Sequence, residues 1–148
     1  MFYKQKVKIK NISFHEVVSS FHDLKFVKFL ITLQPVKIIS WNGIYNTDRA
    51  YFMFWLLGWK NFKVIHKDYQ KPTDIYFSFV DKGEVLPLGL IYWKHKHSVI
   101  YENNEIFIID DINFKHKNFL GIFLYPILIA PIFVRKILYR LYFKYNFK

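Results

Sequence analysis

Apolar and polar residues alternate at the start of the chain. Tyr3, Gln5, Val7 and Ile9 fall on one side, and Lys4, Lys6, Lys8 and Lys10 on the other. A period of two with lysines along one face predicts a half-buried strand. Ser13-Phe14-His15-Glu16 follows, a capping-box pattern, and Phe14, Val17, Val18 and Phe21 then recur at helical spacing. This predicts a helix from Phe14, broken at His22-Asp23, and a second short helix through Leu24, Val27 and Lys28. Beyond Pro35 the pattern shortens to β-rich runs at 36–41, 49–57, 62–69, 73–80, 90–101 and 105–114. Turn residues separate them at Asn42-Gly43, Gly58, Lys71-Pro72 and Asn103-Asn104. Helical spacing returns at Pro131, which suits a first-turn position, and continues through Ile132, Arg135, Lys136, Tyr139 and Tyr142. The order predicts one α+β domain over residues 1–148. A curved antiparallel sheet of about seven strands would wrap around a long C-terminal helix, with two short helices after the first strand.

One segment departs from this alternation. Residues 119–134 carry no charge, contain Pro126 and Pro131, and are followed by Arg135 and Lys136. Sixteen residues is short for a span, which needs about 18 or more, so the expected form is a buried or interfacial helix pair, with a tail anchor as the alternative. Composition sharpens the picture. The chain holds 17 Phe, 11 Tyr and 4 Trp, more aromatic surface than a small core needs, so some rings are expected to line a cavity. With no cysteine, disulfides, thiol nucleophiles and thiolate metal sites are excluded.

Charge is divided by position. Residues 1–10 carry four lysines and no acid, and residues 115–148 carry seven basic residues and no acid, so the two ends account for the whole net charge of +11. Such ends suit an anionic membrane surface, or serve solubility. Nucleic acid is not expected as a partner, because no RNA-binding aromatic motif or helix-turn-helix accompanies the charge. The first residues lack a signal-peptide pattern, so the expected location is cytoplasmic, with peripheral membrane contact as an alternative.

The chemistry gathers at Trp93-Lys94-His95-Lys96-His97-Ser98-Val99. On a strand Trp93, His95, His97 and Val99 share one face while Lys94 and Lys96 share the other, so both histidines point to the apolar interior, where each needs a partner. If Asn103-Asn104 is a two-residue turn, counting back sets Val99 opposite Ile108, His97 opposite Asp110, His95 opposite Ile112 and Trp93 opposite Phe114. An imidazole facing a carboxylate can hold a ligand's polar group or act as a general base; the alternative is a buried pair that satisfies only itself. Asp110 could also complete a metal site with the two histidines, but no further spacing supports one, and no metal or cofactor is expected. His15, His22, His66 and His116 read as surface or turn residues. Nucleophile-elbow, phosphate-cradle and dinucleotide motifs are absent.

The order of Phe79-Val80-Asp81, the Trp93 to His97 strand, Ile108-Ile109-Asp110-Asp111-Ile112-Asn113-Phe114, and Arg135 with Tyr139-Arg140 resembles the SRPBCC superfamily. These helix-grip proteins include START lipid carriers, the birch pollen allergen and polyketide cyclase/dehydrase-like proteins. The sequence looks closest to a bacterial ligand-binding branch, and the match favours the register in which Asp110 faces inward. It departs from that branch at Leu88-Gly89-Leu90, where Gly-Pro-Phe is usual, and at Phe114, where the usual tyrosine hydroxyl is missing. The resemblance implies an apolar cavity between sheet and C-terminal helix for a lipid-like or polyketide-like small molecule. Trp93, Val99, Ile108, Ile112 and Phe114 would belong to its wall, and His95, His97 and Asp110 would anchor a polar end. It implies binding rather than catalysis. The alternatives are a cyclase, dehydratase or isomerase using His97 with Asp110, and a peripheral lipid-exchange protein. Oligomeric state is left open by the sequence.

Overall fold

A computed structural model describes residues 1–119 and 121–146. The elements run β1 (Phe2–Ile9), α1 (Phe14–Phe21), α2 (Leu24–Phe29), β2 (Val36–Trp41), β3 (Arg49–Trp55), β4 (Trp59–Gln70), β5 (Tyr76–Val85), β6 (Leu90–Glu102), β7 (Glu105–His116) and α3 (Gly121–Tyr145). The strands form one antiparallel sheet in the order β1-β7-β6-β5-β4-β3-β2, with α3 packed on it, as the alternation of the sequence predicts.

Local chemistry sets the element ends. At the start of α1 the Ser13 hydroxyl accepts from the Glu16 backbone while the Glu16 carboxylate accepts from the Ser13 backbone, the reciprocal bonds of a capping box. Asp23 caps α2 by accepting from the Lys25 N–H. Between β6 and β7, Asn103 and Asn104 adopt φ of 52° and 61°, the left-handed pair that a two-residue hairpin requires. That turn fixes the register: Glu102 pairs with Glu105, His97 with Asp110, His95 with Ile112 and Trp93 with Phe114.

Several boundaries differ from the sequence reading. β5 begins at Tyr76 rather than at 73, because Thr73 Oγ1 accepts from the Ile75 and Tyr76 N–H groups and holds those residues in a turn. β4 starts at Trp59, three residues before the expected 62, and β3 stops at Trp55. The larger correction concerns α3. Helix does not wait for Pro131, and there is no helix pair: one helix runs from Gly121 to Tyr145 with Pro126 and Pro131 inside it. Each proline withdraws a donor from the ladder. Side chains from elsewhere also tie this stretch to the rest of the fold, with Gln34 Nε2 donating to the Pro131 carbonyl at 3.1 Å and Gln5 Nε2 to the Ile132 carbonyl at 2.8 Å. At the first position of α3 only glycine fits, since a Cβ on Gly121 would lie 2.4 Å from His116 Cβ.

Two apolar clusters fill the space between sheet and helices. One gathers α1, α2 and the second half of α3 around Phe26, Phe77, Val99, Ile108 and Tyr139. The other sits under the first half of α3, around Trp93, Ile112, Phe114, Ile129 and Ile132. Along β6, Trp93 belongs to the second cluster and Val99 to the first, so His95 and His97 occupy the rungs between them. Replacing Ser13 by alanine removes the cap of α1 and is expected to lower stability by about 1 kcal/mol in urea unfolding, without changing the strand content seen by circular dichroism.

Candidate functional site

The parity of β6 turns His95 and His97 inward, where they are 2% and 5% exposed. Asp110 enters from β7 and is fully buried. Each Asp110 oxygen is engaged. Oδ1 lies 2.9 Å from His95 Nε2, Oδ2 accepts from Gln5 Nε2 at 2.7 Å, and both accept from the Tyr139 hydroxyl at 3.1 Å. One carboxylate therefore joins β1, β6, β7 and α3.

His97 stands opposite Asp110 in the register, as expected, yet its aligned hydrogen bond runs the other way. Nε2 lies 3.1 Å from Asp81 Oδ2 on β5, while Nδ1 is 3.2 Å from Asp110 Oδ1, within ion-pair reach but outside hydrogen-bond alignment. Asp81 also meets His66 Nδ1 at 2.8 Å. His66, read from sequence as a surface or turn residue, is a correction: it is 2% exposed and part of the cluster. The result is a chain of alternating imidazoles and carboxylates, His66, Asp81, His97, Asp110 and His95, that crosses four neighbouring strands. Asp81, His66, Gln5 and Tyr139 were not assigned to the site by sequence. Parity held the signal for three of them: Asp81 follows Phe77 and Phe79, His66 follows Val64, and Gln5 precedes Val7, each two residues along an inward face.

Burial and neighbours set the protonation. Burial pulls His95 down, and the nearby His97 adds to this, leaving its pKa at about 4 despite the help of Asp110. Burial works against charged His97 too, but Asp81 and Asp110 outweigh it and raise its pKa. Burial opposes ionisation of Asp81 and Asp110 as well, and their histidine partners prevail, holding both carboxyls well below the usual range. Arg135 on α3 keeps its charge because Tyr139, Asp110 and Asp81 more than offset its burial. The carboxylates Asp81 and Asp110 are thus accompanied by the cations His97 and Arg135, with His95 neutral, so the buried negative charge is compensated.

Three buried polar atoms in this layer, His66 Nε2, His97 Nδ1 and Arg135 Nε, have no aligned hydrogen-bond partner among the described residues. The apolar residues expected to line a cavity are packed closed around them. Val99, Ile108, Ile112 and Phe114 are each 0% exposed and Trp93 is 6% exposed. Asp81, His95 and His97 bring one ligand atom each within 4.8 Å of one another, a donor set that fits a cation with two imidazoles and one carboxylate, and Asp81 rather than Asp110 is its third member.

No family model matches the sequence, and no curated protein matches it. Solved structures do. A protein of Nitrosospira multiformis superposes with a TM-score of 0.59 at 9% identity, covering 92% of this chain and 93% of that one. A protein of Thermus thermophilus gives 0.52 at 8% identity over 89% and 86%, and one of Rhizobium loti gives 0.50 at 11% identity over 77% and 82%. These likenesses are of fold: a seven-stranded antiparallel sheet with two short helices after its first strand and a long C-terminal helix packed on it, the helix-grip arrangement. At these identities the likeness establishes the helix-grip architecture, and the site must be argued from its own residues.

Replacing Asp110 by asparagine leaves His97 and Arg135 facing a neutral group in the helix-grip core. The expected loss is about 3 to 5 kcal/mol in urea unfolding. Stability should also depend on pH with a definite sign. Between about 6.5 and about 4 the unfolded chain takes up a proton at His95 that the folded chain refuses, so stability falls as pH drops through that window. Asp81 and Asp110 extend the fall below 3.8, where unfolded carboxylates protonate and folded ones resist. His97 acts oppositely: its contribution is complete below 6.5 and is lost as pH rises through its elevated folded value. Thermal melts across pH 4 to 6.5 should slope in the natural protein and flatten in His95→Gln.

Proposed function

We propose that this protein binds a hydrophobic small molecule between the sheet and α3, with the ligand's polar end received by the buried histidine, aspartate and arginine cluster. The observation that carries the reading is the pair of unpartnered buried atoms, His66 Nε2 and Arg135 Nε, lying between two apolar clusters. A buried donor without an acceptor costs about 1–3 kcal/mol, and a ligand oxygen placed there would remove that cost while its apolar body replaced core contacts. The helix-grip fold, whose members are typically binders of such molecules, supports the same reading. With Val99, Ile108, Ile112 and Phe114 closed to solvent, ligand uptake requires α3 to shift from the sheet.

The cluster favours binding over proton abstraction. A general base needs a free nitrogen lone pair, and both nitrogens of His97 face carboxylates that keep the ring charged. His95 is neutral, and its Nε2 donates to Asp110, which fixes the tautomer and the orientation of the ring. Wall residues would be Trp93, Val99, Ile108, Ile112 and Phe114, with His95, His97 and Asp110 orienting the polar end.

Native mass spectrometry before and after organic extraction tests the proposal by looking for a co-purified apolar species. Titration with the fluorescent probe 1-N-phenylnaphthylamine supplies an affinity. His97→Ala is expected to weaken or alter binding by roughly tenfold, the effect of one lost charged hydrogen bond. Lys96→Ala, on the opposite face, should leave it unchanged. Equal affinities for the two variants, both folded, would overturn the inward-facing site.

A further inference from the structure

The antiparallel register brings the starts of β1, β2, β4, β6 and α3 to one end of the molecule, together with the last residues of β3, β5 and β7. Direct bonds tie part of this end together. The Met1 amino group donates to the Phe114 carbonyl, Tyr125 donates to the Phe2 carbonyl, and the Lys117 N–H donates to the Gly89 carbonyl. Most of the exposed large apolar side chains among the described residues lie here. Leu57 is 90% exposed, Phe119 82%, Phe123 70%, Leu33 70%, Ile122 65% and Trp55 51%. Soluble surfaces tolerate scattered apolar residues; gathered at one end they mark a contact surface.

Charge follows the same division. Residues 1–3, 30–37, 54–61, 85–92, 113–119 and 121–127, which build this end, contain no aspartate or glutamate; the acids that border it are Asp111, opposite Lys4, and Glu84, paired with Arg49. The same segments contain Lys37, Lys60, Lys115 and Lys117. The turns and strand ends at the opposite end carry both signs, Asp48, Asp68, Asp74, Glu102 and Glu105 beside Lys8, Lys10, Lys67 and Lys71. Solubility alone does not require acids to be withheld from one end.

Leu57 adds an independent pointer. It sits at the β3–β4 tip with φ of 49°, a left-handed conformation that favours glycine or asparagine, and it packs against almost nothing. Folding physics gives no reason for a leucine there. On α3, an 18-residue window has a mean hydropathy of 1.8 and only 22% of it is buried. Its inner residues Ile129, Ile132, Leu138 and Tyr139 are packed in the core against the sheet, so this helix is a cover of the sheet whose outer apolar residues stay exposed.

We infer that this acid-free apolar end docks on an anionic lipid surface. Leu57 and Phe123 enter the headgroup boundary, Trp55 and Trp59 lie at its level, and Lys37, Lys60, Lys115 and Lys117 face the lipid phosphates. Lys37 Nζ already stands 4.1 Å from the Trp59 ring centroid, placing cation and aromatic side by side as an interfacial belt does. The inference stands apart from the small-molecule reading, since the docking surface is external and needs no ligand.

Co-sedimentation of the full chain with phosphatidylglycerol/phosphatidylcholine vesicles at low salt tests it. Binding is expected to be salt-sensitive, to be weak on pure phosphatidylcholine, and to quench Trp55 and Trp59 fluorescence when the lipids are brominated. Phe123→Glu should weaken partition at least about tenfold, and Lys60→Gln or Lys115→Gln about fivefold each. Leu57→Asn should also weaken it while folding at least as stably, a split that loss of structure cannot produce. Ile75→Glu, at the opposite end, should change nothing. No vesicle binding, or binding insensitive to Leu57→Asn and Phe123→Glu, overturns the inference. So does loss on Ile137→Glu instead, which would mean side-on contact along α3. A concentration-dependent dimer abolished by Phe123→Glu, with no vesicle binding, would reassign the surface to a second copy of the chain.

Discussion

One buried carboxylate holds the parts of this fold in register. Asp110 accepts from Gln5 on β1, His95 on β6 and Tyr139 on α3, and it faces His97 across the β6–β7 ladder. A buried carboxylate survives only if every lone pair is occupied and its charge is balanced. That demand specifies the arrangement more tightly than apolar packing can. Leucine-like contacts tolerate sliding by a fraction of a residue, whereas a hydroxyl must reach an oxygen at about 3 Å. Gln5 extends the constraint by donating both to Asp110 and to the Ile132 carbonyl, so the edge strand, the central carboxylate and the helix backbone share one amide.

The same cluster explains why a chain rich in aromatic residues closes so completely. Phe79 stacks on His97 with ring centroids 4.6 Å apart, and His95 and His97 lie 3.8 Å apart. Rings cover the polar atoms on their apolar side, which strengthens each bond by excluding water and raises the cost of any group left unpaired. The unpartnered Nε2 of His66 and Nε of Arg135 are therefore the weak points of an otherwise satisfied interior. A helix-grip protein that opened between sheet and α3 would expose these atoms first, because they lie in the layer that α3 covers.

Much of this was legible in the sequence. Strand alternation, the Asn103-Asn104 turn and the capping box at Ser13 are local signals, and the register they imply agrees with the structure from Glu102↔Glu105 to Trp93↔Phe114. Placement of His95 and His97 indoors followed from parity, and that of Asp110 from the hairpin register together with the family resemblance. Their bonding did not. Cross-strand position pairs His97 with Asp110, but side chains lean along the strand, and the aligned bonds run from His95 to Asp110 and from His97 to Asp81. His66 shares its face with Val64, but β4 is polar along much of its length and so short a parity is easily missed; its pairing with Asp81 across the β4–β5 ladder makes its direction plain.

The start of α3 was hidden for a different reason, and that reason bears on what the helix does. A helix buried on one face and solvated on the other shows a 3.6-residue apolar period; residues 121–134 show none, because they are apolar all round. Inside a protein such a helix would be covered on every side. Here Ile129 and Ile132 are buried while Ile122, Phe123 and Phe133 are exposed. Pro126 and Pro131 fit the same picture, since a helix held by packing on its inner face tolerates missing ladder donors that an isolated helix would not. The absence of periodicity is thus the sequence-level trace of a helix that is apolar both on the face the core buries and on the face the fold leaves exposed. The Tyr139 hydroxyl and the Phe123 ring, borne by one continuous helix, put the interior cluster and the outer apolar end on a single rigid element.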